Sequence, residues 1–383
     1  FILTKESRTR NSLMNIATGI SGQFLSTILK FITRTVFIHT LGTAYLGING
    51  LFSNILTMLS LTELGLDTAI NFKLYKPLAE RDEHSVRVLM KFYKQAYRVI
   101  GFIILLIGLA IIPTLRFIIK DYDSLEALGI NAVFIFILYL LQSVSSYLFF
   151  AYRSAVIKAA QKNYIINNVE IVMSVITNIV QIIILYVWHD FVLYTASVVL
   201  FVIIKNGINA IYAQKMFPVF FTKEEDKLTK NEVIDLLKDC GALFVYRMNS
   251  IVLKATDNLV LSTFIGLEIV GMYSNYLMFY TTINTFLSRI YSSVKASMGN
   301  LFTTAEISKS YFFFEVMNLI TAIFYGTAGI GVAVLANEVI EIWIGPDYII
   351  PQPLPILIGI EILLKGLKTN LGQIRNISGA FRQ

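Results

Sequence analysis

Apolar runs of roughly 18–26 residues recur along the whole chain, each about as long as the ~20 residues a helix needs to cross some 30 Å of hydrocarbon. In lipid every backbone N–H and C=O must be paired internally, so a chain patterned this way is confined to helices or a closed β-barrel. The apolar–polar alternation of a membrane barrel is absent, which leaves an all-α, polytopic membrane protein. Ten spans are expected, at approximately 14–40, 46–72, 95–115, 128–150, 166–187, 191–217, 240–264, 268–291, 311–336 and 350–367. The last is the weakest, because Pro351, Pro353 and Pro355 crowd its start, although proline is tolerated in a first helical turn. Composition agrees. The chain is 56% hydrophobic and 15% charged, against about 25% charged in a soluble domain.

A net charge of +7 would suit a nucleic-acid partner, but the placement of the cations argues otherwise. Of the 32 basic residues, all but six lie at 5–10, 73–98, 153–162, 205–238, 289–309 and 365–382, that is, at every second loop. The opposite loops hold two, Arg116 and Lys120, beside Asp121, Asp123 and Glu126. The positive-inside bias therefore places the N-terminus in the cytoplasm. The remaining four, Lys30, Arg34, Arg247 and Lys254, fall inside the first and seventh spans. Cys240 stands alone, so no disulfide framework exists. The first apolar run is too long for a cleavable signal peptide, and a start at Phe1 rather than Met implies missing leading residues.

Spans one to six have short connections and form an N-terminal lobe, 1–217. The segment 218–239 is the longest polar stretch. Thr229 and Glu232 make a capping box before Val233, Leu236 and Leu237, which predicts a short amphipathic cytoplasmic helix acting as a linker. A C-terminal lobe, 240–383, follows. Span one ends K30-x11-G42-x4-G47 and span seven ends K254-x11-G266-x4-G271. At the same offset Val36 meets Val260, Leu41 meets Ile265 and Thr33 meets Asp257. Six spans separate the copies, an even number, so the duplication is a parallel repeat. Only four spans follow the linker, and about two helices are expected to be missing at the C-terminal end.

The segments FITRTVFIHTLGTAYLGINGLFSNILTMLSLTELGLDTAI (31–70), SSYLFFAYRSAVIKAAQKNYI (145–165), ATDNLVLSTFIGLEIVGMYSNYL (255–277) and RNISGAFRQ (375–383) resemble the polysaccharide transporters of Gram-positive bacteria. These are Wzx-type flippases of the multidrug/oligosaccharidyl-lipid/polysaccharide exporter superfamily. The resemblance covers essentially the whole chain. It implies two six-helix lobes around a central cavity, twelve or more spans, and alternating access. The implied cargo is an oligosaccharide on undecaprenyl pyrophosphate, turned from the inner to the outer leaflet of the bacterial plasma membrane, alongside polymerase and glycosyltransferase partners.

Lys30 and Arg34 are spaced i, i+4 and share a helix face. A charge near the bilayer centre costs at least ~2.5–3.5 kcal/mol and usually faces a cavity or a partner. Lys254 lies at a depth similar to Lys30, so the repeat would set the two lysines across the cavity from each other. A pyrophosphate between them would explain both, with Arg34 adding a bidentate contact. The competing reading has Arg34 snorkel to the outer interface and Lys254 pair with Asp257.

Arg247, shallower in span seven, could pair with Glu63 or Asp67 of span two as a cytoplasmic gate or a fixed structural ion pair. Glu63, Asp67 and Asp257 are also the acids that could carry a coupling proton or Na⁺. Glu170, Glu315 and Glu361 are expected in helix packing or at interfaces. Tyr273, Tyr276 and Tyr280 form a stripe in span eight that could lie against sugar rings, or simply pack. His39, His84 and His189 fall at different ends of the bundle and cannot converge. No metal-ligand spacing and no phosphate-binding glycine loop with a lysine occurs, so neither an enzyme nor a cofactor is expected.

Two alternatives compete with transport of a lipid-linked sugar. A multidrug exporter of the same superfamily should line its cavity with acids. A non-transporting scaffold for envelope polymer assembly would need no cavity.

Overall fold

The computed structural model describes residues 5–60, 66–120, 122–127, 129–221, 234, 238, 259–304 and 307–378. Among these residues the regular structure is entirely helical. The order is α1 (Lys5–Leu41), α2 (Thr43–Leu59), α3 (Leu66–Glu80), α4 (Glu83–Ile111), α5 (Leu115–Ile118), α6 (Tyr122–Ala127), α7 (Ala132–Leu148), α8 (Ser154–Ala159), α9 (Asn163–Trp188), α10 (Phe191–Met216), α11 (Leu267–Thr304), α12 (Ile307–Ile344) and α13 (Leu354–Ser378).

Short polar side chains start several of these helices by accepting from otherwise orphaned amides. Asp82 accepts from Ser85 N at the head of α4, and Asn131 from Phe134 N at the head of α7. Asp190 accepts from Val192 N and Leu193 N at the head of α10. Asp82 also takes the Ser85 hydroxyl, and these bonds hold its carboxyl below the usual range.

Of the ten expected spans, five described helices are long and apolar enough to cross a membrane: those within Ala17–Leu41, Glu83–Ile118, Asn163–Trp188, Phe191–Met216 and Tyr311–Ile344. A sixth is the pair α7 and α8, bent by 42°. The bend sits at Phe150, whose φ of 62° is left-handed without being glycine. Within the run 46–72, α2 ends at Leu59 and α3 is described from Leu66 onward, with 61–65 outside the described residues. The runs 268–291 and 350–367 are helical, as α11 and α13, but more polar. Most of 240–264, and with it the start of the second repeat, lies outside the described residues, as does most of the expected linker helix. Ile234 and Lys238 are described within that linker, both helical and exposed.

The chain divides into two compact units, Phe1–Gly271 and Met272–Gln383. The division falls after Gly271, and residues 259–271 pack on the first unit. Ser262 and Thr263 hydroxyls donate to Ile118 O at 3.2 Å, and Lys120 Nζ donates to Phe264 O at 3.2 Å and Ile265 O at 3.4 Å. Lys120 thus neutralises carbonyls at a helix end, and Arg116 lies over the Tyr122 ring at 5.5 Å. Both cations on the sparsely charged side are therefore structurally engaged.

Within unit 1, α1 packs along α9, and α7 lies between α4 and α10. The outward face of α9 is apolar at Val172, Ile176, Ile179 and Ile183, whereas Asn178 and Gln181 are buried. Thr33 of α1, also buried, donates to Asn178 Oδ1 at 2.7 Å. Apolar outside and hydrogen-bonded polar inside is the arrangement expected when the surrounding solvent is lipid. Unit 2 is built on α12 and α13, whose backbones touch at Gly329 and Gly359. A Cβ on Gly359 would lie 2.4 Å from Gly329 O, and one on Gly329 would lie 2.6 Å from Gly359 O.

Two glycines that the expected repeat equates share a backbone feature. Gly42, immediately before α2, has φ 85°, and Gly266, immediately before α11, has φ 137°. Both occupy a region that only glycine enters freely, and they are the two positions the repeat equates.

Candidate functional site

Arg34 lies seven residues before the end of α1, roughly 10 Å along the axis at 1.5 Å per residue. It is half-buried, and the phenols of Tyr139 on α7 and Tyr194 on α10 are close enough to interact with its charge. Tyr139 donates to Asn49 Oδ1 of α2, and the hydroxyls of Ser53 and Thr195 lie within its reach. The four helices come to this point for a packing reason. Phe37 of α1 sits edge-on to Phe191 and Tyr194 of α10, with centroids 5.7 Å and 5.2 Å apart. Phe52 of α2 meets Tyr139 at 5.8 Å. An aromatic collar therefore surrounds a polar knot of one guanidinium, phenols, hydroxyls and an amide. Lys30, one turn nearer the N-terminus of α1, is exposed.

A second polar centre lies at the opposite end of unit 1. Asp67 of α3 forms an ion pair with Lys158 of α8, Nζ to Oδ2 3.2 Å. Its Oδ1 accepts from Tyr93 OH at 2.9 Å, and Tyr93 OH in turn accepts from Tyr97 OH at 2.8 Å. Lys158 was read from sequence only as part of a topogenic loop. Its partner could not be foreseen, because the pair joins positions 91 apart across a helix break. Arg247 and Glu63, the other members of the expected gate, lie outside the described residues.

Tyr273, Tyr276 and Tyr280 are all buried. Tyr276 OH donates to Asn337 Oδ1 at 2.6 Å and accepts from Ile350 N at 3.1 Å. Tyr280 OH donates to Glu361, and Lys365 Nζ lies 5.1 Å from its ring. For this stripe the geometry favours packing inside unit 2 over contact with sugar. Glu361 and Glu170 are both exposed; the first accepts from Tyr280 and the second lies 3.7 Å from Lys205. Lys254 and Asp257 lie outside the described residues. Among the described residues no group of three His, Cys, Asp or Glu could hold a metal.

A family model described as polysaccharide biosynthesis protein matches residues 12–295. The chain belongs to that family. Comparison with curated proteins gave no match. Among solved structures, the fold is similar to a multidrug resistance MATE family transporter of the MOP superfamily in an inward-facing conformation, with TM-score 0.62 and 12% identity over 94% of this chain and 85% of that one. It is also similar to the Vibrio cholerae MATE transporter VcmN, at TM-score 0.56 and 14% identity over 97% and 83%. A third is a MOP superfamily transporter from Pyrococcus furiosus, at TM-score 0.51 and 12% identity over 97% and 81%. At these identities the likeness establishes the fold alone.

Within that fold the chain carries Arg34 inside unit 1, within the first span. Its neighbours Tyr139, Tyr194 and Asn49 escaped the sequence reading because each, taken alone, is an ordinary polar residue in an apolar run. The convergence of four helices gives them meaning.

Proposed function

We propose that this polysaccharide biosynthesis protein moves undecaprenyl-pyrophosphate-linked oligosaccharide units from the inner to the outer leaflet of the bacterial plasma membrane by alternating access. Its N-terminus would be cytoplasmic. The product would feed capsule, exopolysaccharide or other cell-wall polymer, with polymerase and glycosyltransferases as partners. The observation that carries this reading is Arg34: a guanidinium within a membrane-spanning helix, set beside phenols, in a member of this family.

Chemically, such a site suits an anion. Arginine binds phosphate oxygens through a planar fork, and charge-assisted bonds of this kind strengthen where water is scarce. Lys30, exposed one turn away, supplies a second cation. Lys254 and Arg247 complete the proposed pyrophosphate set from the second repeat, with Glu63, Asp67 or Asp257 as the gate or coupling acid. Energetics permit the direction of travel. With the cytoplasm negative, moving an anion outward is favourable by ~2.3 kcal/mol per charge per 100 mV.

Export of drugs is the competing reading, favoured by the likeness to MATE transporters. A basic first span argues against it, since organic cations call for acids. The Pyrococcus furiosus relative, whose binding pocket is described as of reverse polarity suggesting a different function, offers a precedent within this fold. The test is genetic. Lys30→Ala with Lys254→Ala should abolish surface polysaccharide at unchanged protein level, and normal polymer in that strain would reject the anion site.

A further inference from the structure

At the end of unit 1 proposed to be cytoplasmic, three cations converge on one small cavity. Lys94 and Arg98, spaced i, i+4, share a face of α4 and line a space of about 90 Å³ with Arg153. That is about three times the ~30 Å³ that a water occupies in the liquid, room for a tetrahedral oxyanion. No carboxylate is among its described lining residues. Arg153 is already held in place. It donates to Gln214 Oε1 at 2.8 Å and to Tyr152 OH at 3.3 Å, and lies over the rings of Phe150 at 5.2 Å and Phe221 at 4.8 Å. Every one of those partners is neutral. The left-handed backbone of Phe150, at the break between α7 and α8, is what turns its ring beneath the guanidinium.

The level in the membrane is also defined. One residue beyond Arg98, α4 becomes apolar and outward-facing at Val99, Phe102 and Leu106. The cavity therefore lies where headgroups meet hydrocarbon. Positive-inside bias accounts for cations on this side of the membrane but not for three of them around one cavity, where an anion would relieve their mutual repulsion. Basic pockets between helices at this level suit phosphate headgroups.

We propose that Lys94, Arg98 and Arg153 form a phosphate-binding site at the cytoplasmic headgroup level, occupied by an anionic lipid. It depends on the membrane orientation proposed above but not on the transported substrate.

The test uses the purified full chain in detergent at fixed ionic strength, titrated with dioctanoyl phosphatidylglycerol, dioctanoyl phosphatidylcholine or inorganic phosphate, with melting temperature as readout. The glycerol lipid should raise the melting temperature saturably and the choline lipid should not. Lys94→Gln with Arg98→Gln should shift half-saturation by about tenfold or more. Lys76→Gln, an exposed cation outside the cavity lining, should leave it unchanged. Inorganic phosphate saturating at the same concentration as the lipid would keep the phosphate chemistry and assign a soluble source. If the double variant folds poorly, Arg98→Gln alone gives the same readout. No saturable shift with lipid or phosphate, or an unchanged shift in the variants, would overturn the site.

Discussion

Gly271 sits against Gly47. A Cβ built on Gly271 would lie 3.2 Å from Gly47 N and 2.6 Å from Thr43 O, and one on Gly47 would lie 2.1 Å from Leu267 O. These are the glycines that close the two copies of K-x11-G-x4-G. Residues equated by the repeat thus touch each other, where the first turns of α2 and α11 cross backbone to backbone. Small residues permit this approach, and where helices cannot gain from hydrophobic burial, close packing is the main attraction left.

The contact predicts an asymmetry among glycine substitutions. Gly47→Val or Gly271→Val forces carbonyl oxygens apart and should cost about 1–3 kcal/mol or more. Gly207→Ala in α10, where an added Cβ meets nothing within 4 Å, should be neutral or stabilise by about 0.5–1 kcal/mol. Melting temperatures in detergent would rank the three.

Asp67, Lys158 and Tyr93 predict coupling. The ion pair is partly exposed, with side-chain accessibilities of 38% and 39%, so its net worth is modest, about 1 kcal/mol. Asp67→Asn and Lys158→Met should each destabilise unit 1, and the double variant should lose less than the sum. A double-mutant cycle in denaturant measures this. If Asp67 instead carries a coupling ion, Asp67→Asn should abolish transport while Lys158→Met, with the acid intact, retains it.

How legible this molecule was in its sequence depends on the distance over which residues act. The helices and lipid-facing surfaces follow from local apolar periodicity, and the expected repeat rests on a pattern printed twice. Gly42 and Gly266 could be aligned before their shared positive φ was known. The site was half legible. Arg34 stands out because a charge in hydrocarbon is costly, whereas Tyr139, Tyr194 and Lys158 draw their roles from contacts with no local signature. The tyrosine stripe of α11 was correctly seen as a face, but periodicity does not say what a face meets.

That stripe yields a discriminating prediction. Tyr276→Phe leaves Ile350 N–H and Asn337 short of a partner in the interior of unit 2. A buried polar group so exposed costs about 1–3 kcal/mol. The packing role predicts a lower melting temperature with apparent substrate affinity unchanged. Contact with sugar predicts the opposite.

The most direct measurement is transport by the reconstituted protein. Liposomes are loaded in one leaflet with a short-chain polyprenyl pyrophosphate oligosaccharide, and its appearance in the other leaflet is followed by an impermeant reagent. The account predicts translocation well above protein-free liposomes. Arg34→Ala should cut it about 10–100-fold at low substrate, the cost of about one charge-assisted bond, with Arg34→Lys in between. No translocation by the wild type, with efflux of organic cations from the same liposomes, would contradict it.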